Sequence, residues 1–304
     1  MSDAVQRNAR FDTADRLVRL GLFANLGLVA IKLSAGHFGQ SDAVFADGLE
    51  SACDLVVTIG MLVAMRVSRT PSDRRHPYGH GRIENIVALM IGALILATGG
   101  WILVSSGHAL LYHAARRPTG LVVGAALFTV LIKELLARRT RRAGAQLGSP
   151  AIAALARDHR KDALSSIGTL AGAGLAMLGA TFMDPIMAGI SGLLILKLGW
   201  SAFVGASQEL MDAALPEAQI RDITQLAESV AGVEHVHEIK GRRAGQFMII
   251  DLKLDMDGAM SVRDSHALAT RVKRLIFDAY PAVGDVMIHV NPHDDPDHED
   301  LIRL

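Results

Sequence analysis

ADGLESACDLVVTIGMLVAMRV, residues 46–67, is a nearly continuous apolar run with three carboxylates set into it, Asp47, Glu50 and Asp54. As a helix it is long enough to cross a hydrocarbon core of about 30 Å. The acids recur at i, i+3 and i+7, so all three project from one helical face. Asp54 has apolar sequence on its C-terminal side, which keeps water away unless the protein supplies it. Charged groups at such depth are expensive and are functional by default. A run of this kind belongs in a bundle of membrane helices, with its acids turned toward an interior site.

Working outward, five more runs approach the roughly 20 apolar residues that a spanning helix needs. They cover 17–38, broken only by Arg19 and Lys32; 83–112; 120–137, with Lys133 and Glu134 near its end; 151–180, which opens on RDHRKD; and 185–204. With 42–67 they predict six spans. Glycine is frequent in them, as in helices that pack closely in lipid. Arginines crowd the N-terminal arm (Arg7, Arg10, Arg16, Arg19), the loop after the second run (Arg66, Arg69, Arg74, Arg75, Arg82) and the loop after the fourth (Arg138, Arg139, Arg141, Arg142). The loops after the first and fifth runs, HFGQS and GATFMDP, carry no Lys or Arg, and only Arg116 and Arg117 oppose the trend. The positive-inside rule then puts both termini in the cytosol of a bacterial-type inner membrane. The polar start MSDAVQRNARFDTADR is not expected to act as a cleavable signal.

After Gln208 the pattern becomes that of a soluble domain. Helical periodicity covers 217–230, strand alternation covers 233–240 and 247–254 around a turn-forming GRRAG, a second helix covers 261–280 with Ser261 as its N-cap, and a short strand covers 286–290. The α-β-β-α-β order predicts a small α+β domain with two helices over one sheet. The expected division is a six-helix transmembrane domain over 1–208 and a cytosolic domain over 209–304.

Three groups of side chains carry candidate chemistry. In DHRKDALSS of the fifth run, Asp158 and Asp162 are four apart and share a face. With the second run they make two acidic pairs on two helices, an oxygen cage suited to a hard or borderline cation. The alternative is that the acids cap helix ends or lie at the interface, and this applies most to Asp47, nearest the start of its run. In the loop SDRRHPYGHGRIEN, Asp73, His76 and His80 offer carboxylate and imidazole together, a zinc-like set, or else are simply solvated. Pro77 and Gly79 argue against a helix there. In the soluble domain His237, His266 and His289 fall on three elements and Asp251 on a fourth, as ligands or as exposed side chains. His293 and His298 sit in an acidic tail. Asn25 is a further polar group in the first run, either supporting a site or bonding between helices.

Other classes are excluded or weakened. Lys plus Arg and Asp plus Glu each number 31, giving a net charge of zero, and no basic stripe interleaves with aromatics, which argues against a nucleic-acid partner. One cysteine, Cys53, permits no internal disulfide or thiolate cluster and reads as a packing residue, with a thiolate ligand beside Asp54 as the alternative. An intramembrane metallohydrolase is disfavoured because there is no HExxH and no nucleophile with a base. A non-transporting metal sensor or scaffold stays as a rival, opposed by the full set of four acids.

ADGLESACD, HPYGHGRIEN, DHRKDALSS and the MIHVNP stretch near the end together resemble the cation diffusion facilitator family over nearly the whole chain. The resemblance implies a homodimeric metal/proton antiporter with six spans and a cytosolic ferredoxin-like domain, protons being the counter-ion and a divalent metal the substrate and possible regulator. It implies a transport site at Glu50, Asp54, Asp158 and Asp162, a loop site at Asp73, His76 and His80, and a cytosolic site at His237, Asp251, His266 and His289. This chain departs from the commonest zinc pattern. It has Glu50 where His or Asp is usual, Asp158 where His is usual, Asp251 where some members have His, and Asn291 where some have Asp; His159 is one position late and should face elsewhere. An all-oxygen transport set favours Mn2+ or Fe2+ slightly over Zn2+, with Zn2+, Co2+ or Cd2+ efflux by the same fold as the alternative.

Overall fold

The computed structural model describes residues 2–112, 116–147 and 150–293. Six long helices come first: α1 (Ser2–Phe38), α2 (Asp42–Ser68), α3 (Ile83–Leu111), α4 (Gly120–Leu147), α5 (Pro150–Met177) and α6 (Met183–Leu210). Then follow α7 (Glu217–Glu228), β1 (His235–Ala244), β2 (Phe247–Met256), α8 (Val262–Ala279) and β3 (Val283–Pro292). The chain gathers into two units, residues up to Met61 with Met90–Phe203, and Leu62–Leu89 with residues from Val204 on. His298 lies outside the described residues.

In the first unit, α4 runs along α5 and packs against α1. Helices α1 and α2 approach so closely that a Cβ on Gly36 would lie 2.5 Å from the Phe45 backbone, and one on Gly48 would lie 2.9 Å from Leu33. Without a hydrophobic drive between helices in lipid, small residues that admit such contact hold them together. Apolar side chains such as Phe23, Leu94, Trp101, Leu131 and Leu193 point outward, the reverse of a soluble bundle.

Helix α2 starts where Gln40, at φ 60°, turns the chain. Ser41 Oγ accepts from Val44 N at 3.2 Å, an ordinary N-cap. A second cap arrives from α6. Asp184 accepts from Asp42 N at 2.6 Å, from Ala43 N at 3.3 Å and from Ser41 Oγ at 2.6 Å. A buried carboxylate thus satisfies the first amides of the helix that carries the acids.

Among the described residues, five helices are long and apolar enough to cross a membrane: α2, α3 and α6 throughout, α1 over Val18–Gly39 and α4 over Gly120–Ala145. Helix α5 has the length but not the hydropathy, because RDHRKD occupies its first half. Its exposed Leu164, Ile167 and Leu175 nevertheless give it an outward apolar stripe. Two boundaries differ from the sequence expectation. Helix α1 begins at Ser2 rather than near 17, and α4 continues to Leu147 rather than stopping near 137. Hydropathy marks where lipid ends, whereas Arg and Ala continue a helix readily beyond it.

In the second unit the sheet order is β1-β2-β3, with β1 antiparallel and β3 parallel to the central β2. Ile250, Leu252, Leu254 and Met256 of β2 meet Ile223 and Ala227 of α7 and Leu268, Val272 and Ile276 of α8 in one core. Both helices therefore cover the same sheet face, the expected α+β layering. Ser261 caps α8 as predicted, its Oγ accepting from Asp264 N at 3.2 Å. GRRA continues β1 rather than forming the turn. The reversal is confined to Gly245 and Gln246, with Ala244 opposite Phe247 and Gly245 at φ 64°, a conformation the tight hairpin demands. β3 also outruns its expected 286–290, because parallel pairing with β2 satisfies its flanks.

Candidate metal centre

Along α2, Asp47, Glu50 and Asp54 turn toward α5. Ser166 Oγ donates to Asp47 Oδ2 at 2.9 Å and Ser165 Oγ to Glu50 Oε2 at 3.2 Å. The charges facing Asp54 are Asp162, Lys161, Lys133 and Asp158, and Glu50 faces Asp47, Lys161, Asp54 and Asp162. The two acidic pairs read from the sequence therefore share one electrostatic environment between α2 and α5. Glu50, Asp54 and Asp162 are half-buried and Asp158 is exposed. Their ligand atoms are not drawn to one point. Among the described residues, only Asp73, His76 and His80 place three such atoms within 4.8 Å of one another.

Two buried lysines complete the cluster. Lys32 of α1 pairs with Asp47 at 2.9 Å, their side chains 1% and 5% exposed, and donates to Ser51 Oγ at 3.0 Å. Lys133 of α4 donates to Asp162 Oδ2 at 2.6 Å and to Asn25 Oδ1 of α1 at 2.7 Å. Sequence reading treats both lysines as interruptions of apolar runs. The signal was present, since an ammonium in such a run needs an anion as much as a carboxylate needs a cation. Asp47 is thus neutralised from α1, while among the described residues no lysine pairs with Glu50 or Asp54 in this way. Asn25, a supporting candidate, reaches the site through Lys133. His159 is buried, with Gly21 of α1 beside its Nε2, and the charges acting on it include those of Lys133, Asp162 and Asp158. Cys53 is a buried free thiol.

The loop residues in the second unit are brought together. Asp73 Oδ1 accepts from His76 N at 2.6 Å and Arg75 N at 2.8 Å, a local turn that fixes the carboxylate. These amide bonds, His76 first, hold the Asp73 carboxyl below its usual range. His76 Nδ1 lies 3.3 Å from Asp73 Oδ1 and His80 Nε2 lies 3.7 Å from Asp73 Oδ2. Gly79, at φ 82°, bends the chain so that the two imidazoles lie with centroids 4.4 Å apart.

The cytosolic set is arranged differently. Asp251 and His289 alternate with core residues of β2 and β3, so they occupy the sheet face that the helices leave open. His237 is the extra residue of a bulge between Val236 and Glu238, 3.6 Å from Asp255, and bulges re-aim side chains in this way. His266 is on α8, in the opposite layer. Within one chain the four residues are not gathered.

Residues 18–211 match the family described as the cation efflux transmembrane domain, and residues 215–293 match the cation efflux protein, cytoplasmic domain. Metal tolerance protein C1 of Arabidopsis thaliana is 34% identical over 300 residues, covering 92% of this chain and 63% of that protein, so the chain spans less than two thirds of its length. Manganese efflux system protein MneS of Bacillus subtilis (strain 168) is 29% identical over 276 residues, covering 90% of this chain and 93% of that protein. The solved structure MamM-CTD 215-293 is similar at 22% identity and a TM-score of 0.25, covering 25% of this chain and 96% of that chain.

Proposed function

The chain belongs to the cation efflux family of membrane transporters, and from this premise we propose that it exports a divalent metal ion in exchange for protons through Glu50, Asp54, Asp158 and Asp162. The observation that carries the reading is the pairing of two carboxylates on α2, a helix of membrane-crossing length and hydropathy, with two on α5 in one electrostatic cluster that Ser165 and Ser166 of α5 join to α2. Such a cluster needs cations. Metal and protons serve in turn, because binding metal requires ionised ligands and its departure returns them to protons. Alternating access exposes the same acids first to one side of the membrane and then to the other.

The ligand set is all oxygen, which favours Mn2+ or Fe2+ slightly over Zn2+. Carboxylates, some bidentate, with water give six-fold coordination, from which tetrahedral zinc gains less. The manganese efflux relative MneS agrees with that preference. One observation favours a zinc-like second reading: the imidazoles of His76 and His80 beside Asp73 form a mixed set suited to zinc. That loop is proposed as an accessory metal site.

The proposed organisation is a transport domain over 1–208 in a bacterial-type inner membrane, with both termini cytosolic, and a cytosolic domain over 209–304 that pairs two copies by two-fold symmetry. The open sheet face, with His237, Asp251 and His289, is proposed to meet metal there, His266 completing the set from the second copy. The test is flux of Mn2+, Fe2+ and Zn2+ into proteoliposomes of the full chain, with and without a pH gradient. Asp54→Ala and Asp162→Ala should each abolish flux and leave a folded dimer. Wild-type flux indifferent to collapsing the gradient refutes proton exchange, and metal binding without flux of any ion assigns the chain to a sensor.

A further inference from the structure

We propose that the Lys133 ammonium is a built-in cation of the transport site, which occupies Asp162 when metal is absent and yields it by resting on Asn25 when metal arrives. The inference rests on the proposed transport role of the four acids. Lys133 is 1% exposed on α4, and an ammonium so placed must keep an acceptor at every stage of a cycle. It has two acceptors of unlike character. Asp162, on α5, is a carboxylate 2.6 Å away whose side chain is 16% exposed and faces Asp54. Asn25, on α1, is a neutral amide oxygen 2.7 Å away and competes for no metal.

Lys32 shows the contrast. Its partner Asp47 is 5% exposed, is held by Ser166 as well, and lies toward the start of α2, so that pair is sealed on both sides. The Lys133 pair is sealed on the lysine side only. A divalent ion that reaches Asp162 meets a positive charge on the same carboxylate, and like charges a few ångström apart in a site of low dielectric repel strongly. Metal capture is therefore an exchange of ion-pair partners. Asp162 passes from Lys133 to the metal, and the amide of Asn25 keeps the ammonium from being stranded. On release the ammonium returns and helps to clear the site. Lys133 thus weakens resting affinity and speeds turnover, a sound arrangement for a transporter that must let go of its cargo.

The test is calorimetric titration of Mn2+ and of Zn2+ into detergent-solubilised full-length protein, following the component that Asp54→Ala abolishes. Lys133→Met should tighten that component by about tenfold or more and slow flux at saturating metal. Lys133→Gln keeps a donor for both oxygens without the charge, so it should behave as Lys133→Met does and serves if the latter fails to fold. Asn25→Leu removes the resting place and should weaken metal binding several-fold. If both neutral variants fold with unchanged or weaker affinity, or if Gln restores wild-type affinity, Lys133 is a structural brace and the proposal is overturned. If wild type shows no component that Asp54→Ala removes, the transport-site reading fails instead.

Discussion

Lys32→Met is expected to cripple folding, and adding Asp47→Leu is expected to restore it. The pair is 2.9 Å apart with side chains 1% and 5% exposed. At an effective dielectric of about 20 the gross attraction at that distance is about 6 kcal/mol. Desolvation of both ions offsets most of it, so the intact pair contributes little against an apolar pair of similar volume. Removing one partner is different. Asp47 keeps only the Ser166 hydroxyl and is left as a buried, uncompensated charge, a loss of about 3–5 kcal/mol. That corresponds to a fall of about 10 °C in the unfolding temperature. The double variant removes both charges and should recover most of the loss, a coupling that a double-mutant cycle isolates. The assay is thermal unfolding of the detergent-solubilised protein followed by size exclusion, with metal flux per folded molecule measured beside it. Asp54→Asn is the control, with a nearly unchanged melting temperature and no flux. A double variant as unstable as Lys32→Met refutes the ion-pair reasoning. A double variant that folds well yet carries no metal places Asp47 among the transport ligands.

Three further outcomes are expected. Asp158→His introduces an imidazole and should shift flux preference toward Zn2+ over Mn2+; an unchanged ratio in competition refutes the ligand-softness argument. Metal binding at Asp73, His76 and His80 should weaken across an experimental series taken from about pH 8 down to 5, because a metal ion competes with protons for its ligands. Asp73, held below the usual carboxyl range by the His76 amide, stays ionised through that window, and whatever its turn contributes to stability is lost only at lower pH, as the depressed folded-state titration is crossed. Titrating Mn2+ or Zn2+ into wild type and a His76→Ala, His80→Ala variant across that range separates this site from the others. Asp184→Ala strips three donors at the start of α2 of their acceptor and should destabilise by about 2–4 kcal/mol, read as a lower melting temperature; no shift would mean that water replaces the cap.

Periodicity and hydropathy by themselves determined the order of elements, the common face of Asp47, Glu50 and Asp54, the i, i+4 pair Asp158 and Asp162, and the αββαβ segment with its Ser261 cap. These are local properties, set by 3.6 residues per turn, by strand alternation and by the aversion of lipid for charge. Helix ends were less legible, as α1 and α4 show, because a helix outlasts the apolar stretch that reveals it. Tertiary structure alone decided which acids were already answered. Lys32 lies 15 residues before Asp47 and Lys133 lies 29 before Asp162, and no local pattern pairs them; only the close approach of α1 to α2 and the packing of α4 on α5 do so. The same holds for Asp184, which caps a helix starting 142 residues earlier. It also decided that Asp73, His76 and His80 converge while His266 stands apart from His237, Asp251 and His289, because a sheet separates its two faces however the ligands are spaced along the chain.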